Sequence, residues 1–252
     1  MLKRSMGAVL LILVFSGTSF GTHPLITDDT GTQGKGNFQV EINYEFDHDN
    51  ADGVKQDLHQ AQTSLSYGIT DTIDFSLSLP YQFITTSEGG EKTREDGISD
   101  MVVEAKWRFF ERDGLSFAVK PGISLPTGND EKGLGTGRVD GAVHFIATRE
   151  IKPWAFHLNV GYGRNETTRN EETNIWDVSV AAELEVCKWL KVVANVGAER
   201  NTDKEVDTPP AFILGGLVFP VTENLDLDIG VKGGLTKPET DYALLSGVTI
   251  RF

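Results

Sequence analysis

Residues 37–46, NFQVEINYEF, are the clearest indication of the fold class. Apolar side chains occupy every even position from Phe38 to Phe46, and polar side chains occupy the odd positions between them. Because successive side chains of a β-strand point to opposite faces, this segment has one continuous apolar face and one continuous polar face. The strand therefore separates two unlike environments.

The same alternation recurs along the rest of the chain, for example in IDFSLSLPYQF at 73–83 and WAFHLNVGY at 154–162. Counting all such segments predicts about twelve strands. They lie at 37–46, 58–69, 73–84, 98–110, 115–125, 138–148, 153–163, 175–186, 190–200, 209–219, 225–235 and 241–252. The segment 209–219 is the weakest of these predictions, because PPAFILGGLVF is apolar on both faces.

The lengths of the connections indicate which kind of β-protein this is. Short joints of about three to five residues alternate with longer, polar joints, as in an up-and-down barrel with tight periplasmic turns and longer external loops. The long joints lie near 47–57, 85–97, 126–137, 164–174 and 201–208. We therefore predict an all-β fold: a transmembrane, up-and-down, antiparallel β-barrel of about twelve strands over 37–252. The alternative is a secreted, soluble β-sandwich.

Aromatic residues cluster at the two ends of the predicted strands, with mostly aliphatic residues between them. Two aromatic girdles around an aliphatic band match the two interfaces of a bilayer. One girdle would contain Tyr67, Phe75, Phe109, Phe117, Phe145, Trp154, Trp189 and Phe219, and the other Phe46, Phe83, Tyr162, Trp176, Phe212 and Tyr242. A soluble sandwich has no reason to sort its aromatic residues in this way.

The N-terminus has the pattern of a secretory signal peptide over residues 1–21. Lys3 and Arg4 precede the apolar run 8–15, and the small residues Ser19 and Gly21 favour cleavage before Thr22. We expect export to the outer membrane of a Gram-negative bacterium; the alternative is an uncleaved membrane anchor. Residues 22–36 have no periodicity and are expected to form an irregular periplasmic leader or a plug.

Composition excludes several classes of function. The formal charge of −14 and the lack of Lys and Arg clusters argue against a nucleic-acid partner. A single cysteine, Cys187, excludes a disulfide framework and a cysteine zinc site, and no role is assigned to it. No cofactor is expected, and the chain lacks the G-x-S-x-G motif of many serine hydrolases. We therefore do not expect an enzyme.

Three segments carry a resemblance to a known family: HPLITDD at 23–29, GTQGKGNFQVE at 31–41 and LPTGNDEKGLGTGRVD at 125–140. In these the chain resembles the MetA-pathway of phenol degradation family, whose members are often called transporters. The resemblance implies an outer-membrane channel for passive uptake of small solutes, including hydrophobic or aromatic ones. The alternatives are a barrel enzyme acting on lipid or peptide at the rim, or a non-conducting structural barrel.

The expected partners are outer-membrane lipid, a small-molecule solute and the barrel assembly machinery. The terminal Phe252 on an amphipathic last strand resembles the signal that this machinery reads. Twelve strands spaced ~4.8 Å apart and tilted by ~40° would leave a bore of roughly 12 Å once side chains are in place. The leader 22–36 or the loop 126–137 would restrict this bore if either folded inward.

The inward face is expected to be net acidic, which would disfavour anions and favour neutral or cationic solutes. The predicted pore-lining residues are Glu41, Glu45, Asp74, Glu104, Lys106, Arg108, Lys120, Asp140, His144, His157, Asp177, Glu183, Glu185, Asp226, Asp228 and Lys232. Structural pairing across strands is the alternative role for each, as for Glu185 opposite Lys191. A register that pairs Thr148 with Pro153 would also set His144 opposite His157, as a metal-binding or titrating pair or as plain packing.

Overall fold

The computed structural model describes residues 23–51 and 53–252, so the predicted signal peptide 1–21 lies outside the described residues. Thirteen strands form one antiparallel sheet. They are β1 Phe38–Ala51, β2 Val54–Gly68, β3 Ile73–Glu88, β4 Glu91–Ile98, β5 Met101–Arg112, β6 Leu115–Leu125, β7 Asp140–Ile151, β8 Trp154–Arg164, β9 Asn174–Cys187, β10 Leu190–Glu199, β11 Ala211–Thr222, β12 Leu225–Gly234 and β13 Tyr242–Arg251.

Twelve of these strands close into a barrel, because β1 pairs with β2 on one side and with β13 on the other. At the seam the backbones of Phe38 and Phe252 exchange two hydrogen bonds, of 3.2 and 2.9 Å. Strand β4 is not part of the ring. It pairs with the C-terminal half of β3, from Tyr81 to Glu88, whereas the N-terminal half of β3, from Ile73 to Ser78, pairs with β5. The predicted all-β, twelve-stranded, antiparallel barrel is confirmed.

The two faces of the barrel wall have opposite character. Large apolar side chains such as Ile42, Val160 and Ile229 are about half exposed on the outside, whereas neighbours such as Glu41 are buried on the inside. A water-soluble domain has the reverse pattern, because burial of apolar surface drives its folding. An apolar exterior on a closed, fully hydrogen-bonded sheet is the arrangement that hydrocarbon requires.

Aromatic residues at the strand ends mostly face outward, as predicted; Phe75, Trp154, Tyr162 and Tyr242 each expose between 41% and 49% of their surface. Phe212 is the exception, since it is only 9% exposed and points into the barrel. Its assignment to an outer girdle was wrong. The alternation could not decide the face, because the next residue, Ile213, is apolar as well.

Two predicted long loops are mostly strand. The segment 47–57 continues β1 and β2, which pair with each other as far as Ala51 and Val54. The segment 85–97 forms the β3–β4 hairpin. Both lie beyond the apolar band, where neither face needs to be apolar, so the period-two signal that marks the other strands is absent. Among the described residues no helix is long and apolar enough to cross a membrane.

Candidate functional site

The leader 22–36, of which residues 23–36 are described, runs along the inside of the barrel. Leu25, Thr27, Asp28 and Thr30 each expose 3% of their surface or less. The Thr27 hydroxyl donates to Ser179 Oγ of β9 at 2.8 Å. Thr30 contacts two further strands, through Ser116 Oγ of β6 at 2.5 Å and Thr148 Oγ1 of β7 at 3.1 Å.

Asn195 of β10 anchors the middle of the leader. Its Oδ1 accepts hydrogen bonds from the backbone N–H groups of Ile26 and Thr27, at 2.8 and 3.0 Å. Its Nδ2 donates to Thr27 Oγ1 at 2.6 Å. The bonds give these buried backbone groups partners although the leader belongs to no strand. Sequence reasoning missed Asn195, because a single inward amide looks like any other polar lumen residue.

An apolar cluster inside the barrel holds the start of the leader. Leu25 packs against a patch of inward side chains centred on β10 and β11, with Ile26 at its edge. The members of this cluster are Leu25, Ala181, Val193, Phe212, Leu214, Val218, Ala243 and Leu245. The cluster explains why 209–219 is apolar on both faces: the outer face borders the exterior, and the inner face packs on the leader.

Glycines in the barrel wall make room for the leader. A Cβ atom at Gly216 would lie 2.5 Å from Pro24 Cγ, and one at Gly230 would lie 2.8 Å from the same ring. A Cβ at Gly68 would overlap the carbonyl oxygen of Gly34. Since real atoms do not approach so closely, these wall positions accept the leader only because they lack a side chain.

An ionic cluster on the other side of the barrel holds Asp28. Its carboxylate pairs with Lys106 Nζ at 2.8 Å and with Lys120 Nζ at 3.0 Å, and Lys120 also reaches Glu104 at 3.4 Å. Burial by itself would raise the pKa of the Asp28 carboxyl, but the two ammonium groups outweigh burial and hold it below its usual 3.8. The buried Asp28 carboxylate is therefore paired with two ammonium groups.

Most of the predicted pore-lining residues do face inward, and most are paired. Ten are buried inside the barrel: Glu41, Asp74, Glu104, Lys106, Lys120, Asp140, His157, Glu183, Asp228 and Lys232. Glu45, Arg108, His144, Asp177 and Asp226 are partly buried. Glu185 is exposed at the short-turn end; it lies opposite Lys191 as predicted, but the lysine ammonium pairs with Glu183 at 3.3 Å.

The two histidines do not face each other. Strands β7 and β8 pair in a register that sets His144 opposite Gly161 and His157 opposite Thr148, so the predicted register was wrong by four residues. β7 continues through Arg149 and Glu150 to Ile151, past the point where its sequence alternation ends. His157 pairs with Glu183 and His144 with Asp177, each at 3.4 Å. Within 23–51 and 53–252 no group of acidic, His or Cys residues is placed to hold a metal.

The loop 126–137 forms a compact structure at the long-loop end. Asp100 accepts hydrogen bonds from the backbone N–H groups of Gly128 and Thr136, at 2.9 and 2.7 Å. Leu134 is buried, at 1% exposure. The loop also contacts the next long connection, since Thr168 N–H donates to the Thr136 carbonyl at 3.1 Å. The glycine-rich motif therefore builds a folded cap rather than a flexible loop.

A cavity of about 70 Å³ lies between the leader and the long-loop end. Its lining includes Ile26 from the leader, Pro210 just before β11 and Phe212 in β11. Its polar lining is formed by Lys120, His144, Asn159, Asp177, Ser179, Glu199, Lys232 and Glu239. Phe212 and Glu239 were missed as lining residues, because the sequence alone placed Phe212 outside and Glu239 in a connection.

Solved structures share this architecture. The COG4313 outer membrane channel from Pseudomonas putida F1 superposes with a TM-score of 0.73 and 14% identity, over 89% of this chain and 98% of that one. KdgM porin superposes with a TM-score of 0.60 and 9% identity, over 85% and 99% of the two chains. At these identities the likeness concerns the fold. No curated protein sequence matches the chain significantly.

The sequence itself settles the family. The model of the family described as "Putative MetA-pathway of phenol degradation" matches residues 23–252, which include the leader and every strand of the barrel. This match confirms the resemblance seen in the motifs at 23–29, 31–41 and 125–140. The chain therefore belongs to the family of MetA-pathway of phenol degradation proteins, built here as a twelve-stranded barrel with its N-terminal leader inside.

Proposed function

We propose that the protein is an outer-membrane channel for the passive uptake of small solutes, hydrophobic and aromatic ones included. The observation that carries the proposal is a closed barrel with an apolar exterior and a polar interior in which the described leader residues 23–36 lie. Such a wall is stable in lipid and encloses a path for a solute across it. The barrels of the Pseudomonas putida channel and of KdgM porin, which are named as a channel and a porin, support the same function.

The leader is the plug of this channel in the proposal. It occupies the bore at Thr27 and Thr30, which bind two different strands of the wall, β9 through Ser179 and β6 through Ser116. Its polar contacts are reversible, so the segment is able to leave the bore without breaking a covalent bond. Flux of solute then requires that the leader shift or come out.

Export by a cleaved signal peptide, insertion in the outer membrane and delivery to the barrel assembly machinery belong to the same proposal. Phe252 supports the last of these, since it lies at the seam of the barrel with 68% of its surface exposed. N-terminal sequencing of protein extracted from outer membranes tests the first two: a start at Thr22 is expected, and recovery in the soluble fraction would contradict them.

A disulfide lock tests the channel and the plug together. The hydroxyl oxygens of Thr30 and Ser116 are 2.5 Å apart, so Thr30→Cys with Ser116→Cys, in a Cys187→Ala background, is expected to tie the leader to β6. In planar bilayers we expect a low conductance in the oxidised protein and a severalfold rise on reduction. Deletion of 22–36 should give the same high conductance.

The matched control is Ser64→Cys with Ser78→Cys in the same background. These two hydroxyl oxygens lie 2.8 Å apart on β2 and β3, inside the barrel but away from the leader. Oxidation should leave the conductance of this variant unchanged. If neither the reduced lock nor the deletion conducts ions or swells liposomes, the channel function is wrong.

A further inference from the structure

The cavity above the leader is small, with a volume of about 70 Å³. At ~10–15 Å³ per water it would hold roughly five to seven waters, which limits a ligand to about one small ring. Its lining combines apolar walls with a few convergent polar groups, as ligand pockets do. Phe212 supplies an aromatic wall, and Ile26 and Pro210 supply aliphatic surface. The cavity lies at the long-loop end, which in the proposed orientation faces the outside of the cell.

The positive charges that line the cavity are already matched by carboxylates. Lys120 pairs with Asp28 at 3.0 Å and with Glu104 at 3.4 Å. Lys232 pairs with Glu45 at 3.0 Å, Asp47 at 3.4 Å and Glu239 at 3.8 Å. An anionic ligand would have to compete with these buried pairs for the ammonium groups, so the lysines do not make an anion site.

Two carboxylates that line the cavity have few positively charged groups beside them. Glu199 of β10 and Asp177 of β9 are direct cross-strand partners, and like charges in this position repel each other. In the described part of the chain, the Glu199 carboxylate makes no hydrogen bond or ion pair. Among residues 23–51 and 53–252, the one ion-pair partner of Asp177 is the His144 imidazole, at 3.4 Å.

A glycine preserves this arrangement. The row His144, Gly161, Asp177 and Glu199 runs across four adjacent strands in the observed register. A Cβ atom at Gly161 would overlap Asp177 Oδ2 and would lie 2.5 Å from His144 Cδ2. The row therefore keeps its acidic groups at the cavity because its second position has no side chain.

We propose that this cavity binds small organic cations that carry an ammonium group on an aromatic ring or short apolar body. The ammonium group would lie between Glu199 and Asp177, where it relieves their repulsion through charge-assisted hydrogen bonds. The ring would pack on Phe212 and Ile26. The inference rests on the proposed function, since it names a solute class that the channel would select at its outer end.

Binding by the purified, full-length mature protein in detergent tests the inference without any need for flux. The probes are benzylamine, benzyl alcohol and benzoate, which share one ring and differ in charge. Isothermal titration calorimetry at neutral pH, corrected for partition into detergent, should rank them in that order of affinity. Equal affinities for the three, or no binding of benzylamine, would overturn the inference.

Glu199→Gln keeps the shape of the side chain and removes its charge, so we expect benzylamine to bind about tenfold more weakly and benzyl alcohol to be nearly unaffected. Phe212→Leu should weaken both probes together. The matched control is Glu185→Gln, which removes the same charge at the exposed, short-turn end and should leave all three affinities unchanged. Unchanged benzylamine affinity in Glu199→Gln would contradict the assigned site.

Failure of this inference and failure of the channel function are distinguishable. Conductance in the disulfide experiment together with absent benzylamine binding would refute only the cation site. Benzylamine binding that depends on Glu199, in a protein that never conducts, would leave the site standing and refute the channel.

Discussion

The two inner walls that hold the leader differ in chemistry. One, here called the apolar wall, consists of Val193 on β10 and Leu214 and Val218 on β11, and it packs on Leu25. The other, the ionic wall, consists of Lys106 on β5 and Lys120 on β6, and it binds Asp28. The strands of the two walls lie on opposite sides of the closed ring.

The two walls contribute differently to the docking of the leader. Contacts between apolar groups depend on area and only weakly on direction, so the apolar wall favours burial of the leader without fixing its depth. A buried carboxylate is tolerated only where it is paired, so the ionic wall admits Asp28 at one position. We therefore infer that the apolar wall supplies affinity and the ionic wall supplies the position along the bore.

The largest expected effect comes from removing both positive charges of the ionic wall. Lys106→Met together with Lys120→Met leaves Asp28 buried without a counter-charge, which should weaken docking of the leader by about 3–5 kcal/mol. The leader should then become sensitive to added protease in detergent, while the barrel itself stays resistant. The conductance in planar bilayers should rise at the same time.

The control restores neutrality on the same wall. Adding Asp28→Asn and Glu104→Gln to the two lysine changes removes the unmatched charges, and protease protection should largely return. If the lysine changes alone leave the leader protected, the ionic wall does not hold it in place.

A smaller effect is expected from adding a side chain at Gly216, where Pro24 of the leader lies against the barrel wall. Gly216→Ala would place a Cβ atom 2.5 Å from Pro24 Cγ and 2.8 Å from the Ile229 carbonyl oxygen, at a cost of about 1–3 kcal/mol. Thermal unfolding in detergent and protease protection of the leader should both report the loss. Gly215→Ala, one residue away with nothing within 4 Å of its added Cβ, is the matched control and should not loosen the leader. Equal behaviour of the two variants would contradict the steric argument.

The smallest effect should appear on acidification. The pKa of Asp28 is lower in the docked leader than in the released one, so its pairing contributes fully above pH 3.8 and is lost as the pH falls below that value. Conductance should therefore show no contribution from Asp28 between neutral pH and pH 5 and should rise in more acidic buffer. Asp28→Asn should remove its part of this dependence; an identical acid response in that variant would show that other groups cause it.

The strands were predictable because a barrel in lipid imposes two environments on every strand. The alternation in 37–46 and 154–162 follows from that requirement alone, and the observed strands β1 and β8 contain these segments. Outside the apolar band the requirement disappears. The β3–β4 hairpin was therefore predicted as a loop, since EKTRED at 91–96 has no apolar face to reveal it.

Pairings between inward residues were less predictable, because they depend on the number of residues in each turn. Ending β7 at Thr148 rather than Ile151 shifted the predicted register and brought His144 and His157 together. The position of Phe212 failed for another reason. In PPAFILGGLVF both the odd and the even positions are apolar, so the pattern does not show which set of side chains faces the exterior.

The all-β class, the closed antiparallel barrel, the inward direction of most charged residues and the family were all predictable from the amino-acid sequence. All of these follow from period-two patterning and local motifs, which are properties of contiguous residues. Three features follow only from contacts in the folded barrel: Leu25 and Asp28 lie inside the bore, Gly216 and Gly230 make room for Pro24, and Glu199 meets Asp177. These contacts join residues far apart in the chain, and closure of the ring, rather than any local preference, brings them together.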